Sequence, residues 1–365
     1  MLRSNFRRLI QTTAGYSLNT LVGPLFTLLL TPIYTRVLGV ANYGVVETLL
    51  PLGMIMYMLG LLSVPSALPV LYYDPTLADR QPRVVASALW VAALWSAALA
   101  AIGYALADPL MRLTLGDLAR DDLTGLVRLM MLGLPFGVLY GVQTTVLRLR
   151  FAVWRSNLLA LLFMFVNAGA NLLLVVALRW GVWGVIGANV ATNIVMGLAG
   201  LAVGAQSLSA RPEPGLMRRL AQTGVPLLPA GLAVWLLVYE DRLFLTRTVA
   251  FEQIGIYGIA NKLASVLALL IEPFKSAWGP LALSIQQEAN APRTYAKVLT
   301  YYCVVGLGLG LALSLFAHEA LLIVTTPAFV GAEAYIWLLV LTPLAGGFSL
   351  IVSIGLLIEK KLGQA

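Results

Sequence analysis

Four cations sit at or inside stretches that are otherwise almost purely apolar: Arg36, Arg128, Arg247 and Lys262. A charge in hydrocarbon costs roughly 2.5–3.5 kcal/mol on insertion scales, so such a residue faces a wet cavity or a partner, or reaches the interface. A guanidinium in a cavity can hold the oxygens of an oxyanion through two parallel bonds. Arg36 and Arg247 end their runs, where snorkelling to the interface serves equally well. Arg128 and Lys262 lie five and eight residues inside theirs, which favours a place on a cavity wall. Among the carboxylates, Glu240 and Asp241 precede Arg242, Glu47 lies near the start of one run, and Glu272 lies deep in another. Such groups can bind a proton or sodium ion and couple its gradient to movement. The competing reading is salt bridging, Asp241 or Glu240 to Arg242 and Glu272 to Lys275 three residues on. Asn167 with Asn171, and Asn189 with Asn193, are one helical turn apart, which suits hydrogen bonds between helices and secondarily a polar lining, with Asn261 as a further candidate.

The elements carrying these residues must be membrane helices. The chain is 60% hydrophobic and 11% charged over 365 residues, too apolar for a water-soluble globule. Its net charge of +8 is spread in short clusters between apolar runs, which argues against nucleic acid and for membrane orientation. A single histidine, His318, and a single cysteine, Cys303, exclude histidine- and cysteine-rich metal sites and intrachain disulfides, and no cofactor motif is present. Gly306, Gly308 and Gly310 lie inside a run with no strand before them, so they are no nucleotide loop, and Gly133, Gly137 and Gly141 form a small-residue face for close helix packing.

At ~20 residues per crossing, ten runs qualify: 15–36, 45–71, 84–107, 123–147, 154–178, 182–205, 223–245, 254–281, 295–317 and 334–358. Arg3, Arg7 and Arg8 resemble the start of a secretory signal, but the run behind them is too long and lacks a small-residue cleavage site. With the N-terminus cytoplasmic, inside connections hold sixteen Lys and Arg and outside ones six, a bias that fixes the expected orientation. The polar connection 207–222 divides the expected lobes, six helices in 1–206 and four in 223–365. An internal repeat is written in two echoes, Thr35-Arg36 with Thr246-Arg247 and Tyr43-Gly44 with Tyr257-Gly258, each joining proline-bearing runs. Six helices against four leads to the expectation that the second lobe is incomplete, the whole being an all-α polytopic protein shortened from a larger form.

The ordered set Pro32 to Gly44, Asn167 and Asn171 followed by Gly181 to Ala188, and Tyr257 to Leu263 leading to Pro273 to Pro280 resembles the polysaccharide exporter and O-antigen flippase family. That family belongs to the superfamily of multidrug and oligosaccharidyl-lipid exporters. Its members usually have twelve or fourteen helices. The resemblance implies alternating-access translocation of a polyprenyl-diphosphate-linked oligosaccharide, an O-antigen or exopolysaccharide unit, across the bacterial inner membrane. Arg36, Arg128, Arg247 and Lys262 would then meet the diphosphate. Membrane lipids and other glycan-assembly membrane proteins are the expected partners, and nucleic acid is not. Two alternatives stand beside it, a multidrug exporter and a glycan ligase or polymerase. The first would prefer acidic over cationic spans. The second lacks a nucleophile with its base, a Walker loop and a metal cluster, so no enzyme is expected.

Overall fold

The computed structural model of the chain describes residues 2–118, 121–204, 210–288 and 290–358, with side chains between 28 and 355 except 117. Several elements of the charge and boundary reading therefore lie outside the described residues: the side chains of Arg3, Arg7 and Arg8, residues Arg120, Lys360 and Lys361, and the expected boundary at 206/207.

The described residues form helices and turns, as backbone groups in hydrocarbon require. Among the described residues nine helices are long and apolar enough to cross a membrane, and the first of them, Leu28–Tyr72, holds the end of the run 15–36 and the whole of the run 45–71 on the two sides of Gly39. About ten crossings is therefore the observed architecture, and the chain is a multi-pass membrane protein.

Helix α1, Leu2–Leu61, has 60 residues, about 90 Å at 1.5 Å per residue and some three bilayer thicknesses. It is broken at Gly39 (φ 71°, ψ 176°), a conformation closed to residues with a Cβ. A Cβ built at Gly39 would touch nothing within 4 Å, so the glycine is there for its backbone freedom and not for space. Asn42 completes the break by donating its side-chain amide to the Leu38 carbonyl at 3.1 Å, one of the groups that the first arm leaves without a partner. A second interruption follows where Leu62 and Ser63 take positive φ before α2, Val64–Tyr72, which has Pro65 as its second residue. Just beyond α2, Asp74 accepts from both the hydroxyl and the amide of Thr76. Those two bonds hold its carboxyl below the ordinary aspartate range.

The remaining elements are α3 (Gln81–Ala105), α4 (Ala107–Leu115), α5 (Asp121–Leu149), α6 (Val153–Asn171, running on as the π-helix Leu172–Ala177), α7 (Gly181–Val203), α8 (Pro214–Gly224), α9 (Leu228–Thr248), α10 (Phe251–Ser284), α11 (Ala291–Leu315), α12 (Ala317–Val324), α13 (Glu333–Leu339) and α14 (Leu341–Ile358). Helix α4 and helix α8 fall where the sequence shows only polar connection. Both are short, amphipathic and carried by a few apolar anchors, Met111 and Leu115 in one and Leu216 and Leu220 in the other.

The chain divides into two compact units, Met1–Ile254 and Gly255–Ala365. In the first, α5 is the central helix, packed against α1, α3 and α7, while α8 lies on α2 and α3 and α9 on α1 and α4. The glycine face expected on α5 is used in this way: Cβ atoms at Gly133 and Gly137 would stand 3.2 Å from Val190 and Asn193 of α7. In the second unit, α11 packs on α14, and a core of Trp278, Ala282, Ile351 and Ile354 is joined to stacked Phe274 and Tyr302. The division thus places α9, expected to open the second lobe, with the helices before it.

Gly39→Ala is expected to destabilise the protein by about 1–3 kcal/mol, the usual cost of a side chain in so rare a backbone region. A thermal melt of purified protein in detergent should show a midpoint several degrees lower, and a larger loss than Asn42→Ala produces. An unchanged midpoint would mean that the two arms of α1 do not need this kink.

Candidate functional site

The most deeply held charges of the first unit meet where α9 crosses the second arm of α1. Arg242 is 9% exposed and Glu47 7%. The Arg242 guanidinium lies 3.5 Å from a Glu47 oxygen and 3.4 Å from Asp241 Oδ1, and its main-chain N–H donates to the same Asp241 oxygen at 2.7 Å. Tyr43, fully buried one helical turn before Glu47, hydrogen-bonds to the Glu47 carboxylate. The Tyr239 ring stands 5.5 Å from the guanidinium carbon, adding a cation–π contact. Two carboxylates on one guanidinium leave this cluster without surplus positive charge.

One turn further along α9, Thr246 and Arg247 reach the C-terminal end of α4. Thr246 Oγ1 donates to the Thr114 carbonyl at 3.1 Å and Arg247 donates to the carbonyl of Leu113. Helix ends carry unpaired carbonyls and partial negative charge, so a cation and a hydroxyl there satisfy both. Gly116 (φ 53°) turns the chain away and brings α4 under the Arg247 stem. Between α1, α4 and α9 lies a cavity of about 220 Å³, its wall including Thr48, Leu52, Met111, Trp235, Tyr239 and Arg242.

None of the cations picked out in the sequence lines this cavity. Arg36 is exposed. Arg128 pairs with Asp108 at 2.9 Å and lies over Tyr104 at 5.7 Å, because α4 folds back across the first turns of α5. Arg247 caps α4. Lys262 belongs to the second unit, where its side chain is half-buried. Of the carboxylates, Glu240 is exposed, Asp241 is engaged with Arg242, and Glu272 pairs with Lys275 at 2.6 Å.

The asparagines of α6 build a polar chain through the interior. Tyr34 donates to Asn171 at 2.7 Å, Asn171 donates to Asn167 at 3.1 Å, and Asn167 donates to Thr192 at 3.3 Å, linking α1, α6 and α7. Asn261 is half-buried in α10. No group of three or more His, Cys, Asp or Glu able to hold a metal occurs among the described residues.

The Glu47–Arg242 pair escaped sequence reasoning because its members are far apart in the chain. A signal existed: an acid near the start of one apolar run and a base near the end of another each demand a partner. Trp235 and helix α4 gave none.

The fold is that of a multi-pass membrane protein. It is similar to an inward-facing multidrug resistance MATE family transporter of the MOP superfamily, with TM-score 0.71 and 14% identity over 94% of this chain and 84% of that one. It is also similar to MATE in the straight conformation, with TM-score 0.64 and 16% identity over 96% and 81%. A third likeness is to a MOP superfamily transporter from Pyrococcus furiosus Vc1 (DSM3638), described by the reverse polarity of its binding pocket, with TM-score 0.57 and 16% identity over 95% and 83%. At such identities the likeness is one of fold. No match is found among curated proteins. The model of the polysaccharide biosynthesis protein family matches residues 9–286, and the chain belongs to that family.

Arg242→Gln is expected to cost more stability than Glu47→Gln. Removing the cation strands two carboxylates, one of them buried, a change of about 3–5 kcal/mol. Removing Glu47 leaves Asp241 beside the guanidinium. Thermal midpoints of the two variants in the same detergent should order in this way, and the reverse order would show that Asp241 contributes little.

Proposed function

We propose that this protein moves a polyprenyl-diphosphate-linked oligosaccharide, an O-antigen or exopolysaccharide repeat unit, across the bacterial cytoplasmic membrane by alternating access. The observation that carries the reading is the match of residues 9–286 to the polysaccharide biosynthesis family on a transporter fold. Family and fold together favour transport over catalysis. The charge bias favours a cytoplasmic N-terminus. Arg36, Arg128, Arg247 and Lys262 are the proposed contacts to the diphosphate. Glu240, Asp241 and Glu272 are the proposed coupling carboxylates, and Asn167, Asn171 and Asn261 the polar lining. Other glycan-assembly membrane proteins are proposed partners.

A second reading, export of a cationic amphiphile, draws on the carboxylate excess around Arg242. The two are separated by a strain that lacks its own exporter of lipid-linked glycans and carries this gene. Restored surface glycan supports the first reading, and restored drug resistance without glycan supports the second.

Arg128 permits a sharper test because its partner is known. Arg128→Gln and Lys262→Gln should keep normal abundance while lowering glycan export several-fold. Asp108→Asn, which frees Arg128 from its salt bridge, should keep export at or above the parent level. If Asp108→Asn and Arg128→Gln both lower abundance and leave export per molecule unchanged, the pair is structural. Reporter fusions after Leu118 and Val249 should read periplasmic and those after Ser207 and Gln287 cytoplasmic, and two reversals would overturn the orientation.

A further inference from the structure

Charge is distributed unevenly along the first unit. Residues 123–212 contain no Asp or Glu, yet they hold Arg128, Arg148, Arg150, Arg155, Arg179 and Arg211. Three of these fall within 148–155, where α5 ends and α6 begins, and all three are exposed. Arg155 has no carboxylate partner among the described residues. Two large aromatic side chains are interleaved with them, Phe151 at 54% exposure and Trp154 at 78%. Exposed aromatic rings beside arginines at the end of a membrane helix mark the headgroup level of a bilayer.

Helix α6 continues that turn into hydrocarbon. At 3.6 residues per turn, Trp154, Arg155, Leu158, Leu162, Phe165 and Gly169 fall within a sector of about 100°. All six are exposed, Phe165 at 72%, whereas Ser156, Asn167 and Asn171 are buried on the opposite face. From Leu158 to Gly169 the face runs about 17 Å at ~1.5 Å per residue, close to half of the ~30 Å hydrocarbon layer. A Cβ built at Gly169 would meet nothing within 4 Å, so the face is open at that depth.

We propose that this face holds an anionic diacyl phospholipid of the surrounding bilayer, its phosphate against Arg155 and the turn 148–155, and one acyl chain along Leu158, Leu162 and Phe165 as far as Gly169. Charge, depth and shape each contribute. A segment with three arginines and no acid complements a phosphodiester and gives a zwitterionic lipid no counterpart for its ammonium. The same charge disfavours a second copy, because a two-fold contact through this face would bring six arginines together without a carboxylate. A single convex helix face offers a lipid chain a surface but encloses no sugar, so the occupant is a lipid of the leaflet and not a lipid-linked glycan. The site stands whether or not the protein carries such a glycan.

The test is photolabelling of the full chain in phosphatidylcholine nanodiscs that carry a trace of either phosphatidylglycerol or phosphatidylcholine, each with a diazirine midway along one acyl chain. Crosslinks from the phosphatidylglycerol probe are expected on the peptide covering 154–172, at least fivefold above those from the phosphatidylcholine probe, the worth of one Lys or Arg beside an anionic lipid. Arg155→Gln should lower that ratio at least threefold, and Arg155→Lys, which keeps the charge, should retain most of it. Arg112→Gln removes an exposed arginine elsewhere in the unit and should leave the ratio unchanged. The proposal is overturned if the two probes label 154–172 equally, if Arg155→Gln leaves the ratio unchanged, or if Arg112→Gln lowers it as much. Displacement of the label by a polyprenyl diphosphate at concentrations tenfold below those of unlabelled phosphatidylglycerol would assign the face to the glycan carrier, and crosslinks between two chains through 154–172 would assign it to a second copy. Either result also overturns it.

Discussion

A guanidinium buried in an apolar helix bundle must be neutralised where it stands, and the first unit is arranged around that requirement at Arg242. The charge is matched by Glu47 from α1 and Asp241 from its own helix, with Tyr43 fixing the Glu47 carboxylate from one turn away. Desolvating an ion pair costs nearly what its attraction returns, so the pair adds little net stability, but separating it is expensive. Its effect is therefore positional. It sets the register of α9 against α1, and with that register fixed, Thr246 and Arg247 fall on the end of α4.

The same logic of satisfied groups explains the break in α1. Two crossings follow one another with no loop between them, which only a residue free to take φ 71° and ψ 176° permits. Asn42 then supplies the donor that the interrupted helix lacks. The outcome is a turn of minimal length, which places Tyr43 and Glu47 at the start of the second arm and hence in reach of α9. Backbone geometry at Gly39 and electrostatics at Arg242 are in this sense one device.

Hydropathy made the long helices legible, because ~20 apolar residues have one stable conformation in a bilayer. It could not reveal α4 and α8, whose short amphipathic sequences carry few apolar anchors and read as polar connection. Local chemistry was legible as well. Glu272 pairs with Lys275 three residues on, Asp241 with adjacent Arg242, and the asparagines of α6 with neighbouring helices. Contacts at a distance in sequence were not. Arg128 looked like an isolated cation because Asp108 stands on a helix that hydropathy does not show, and Arg247 looked like an interfacial one because the carbonyls it caps belong to that same helix. The Thr-Arg echo illustrates the limit: Thr35 and Thr246 both donate within their own helices, to Thr31 and Leu243, but Thr246 donates across to Thr114 as well, a contact that the repeated pair does not announce.

Pairing does not disqualify a cation from meeting a diphosphate. A transporter must release what it binds, and a guanidinium waiting unpaired in an apolar wall would hold an oxyanion too tightly and pay a desolvation cost while empty. A cation that exchanges a carboxylate for a phosphate oxygen and back changes its energy little at either step, since both partners accept the same charge-assisted bonds. Arg128 on Asp108 has this character, being about two-fifths exposed and bound to a single carboxylate. Arg242 does not, because two carboxylates hold it inside the bundle. The distinction separates Arg242, held in place by two carboxylates and fixing α9, from Arg128, whose partner is more easily replaced.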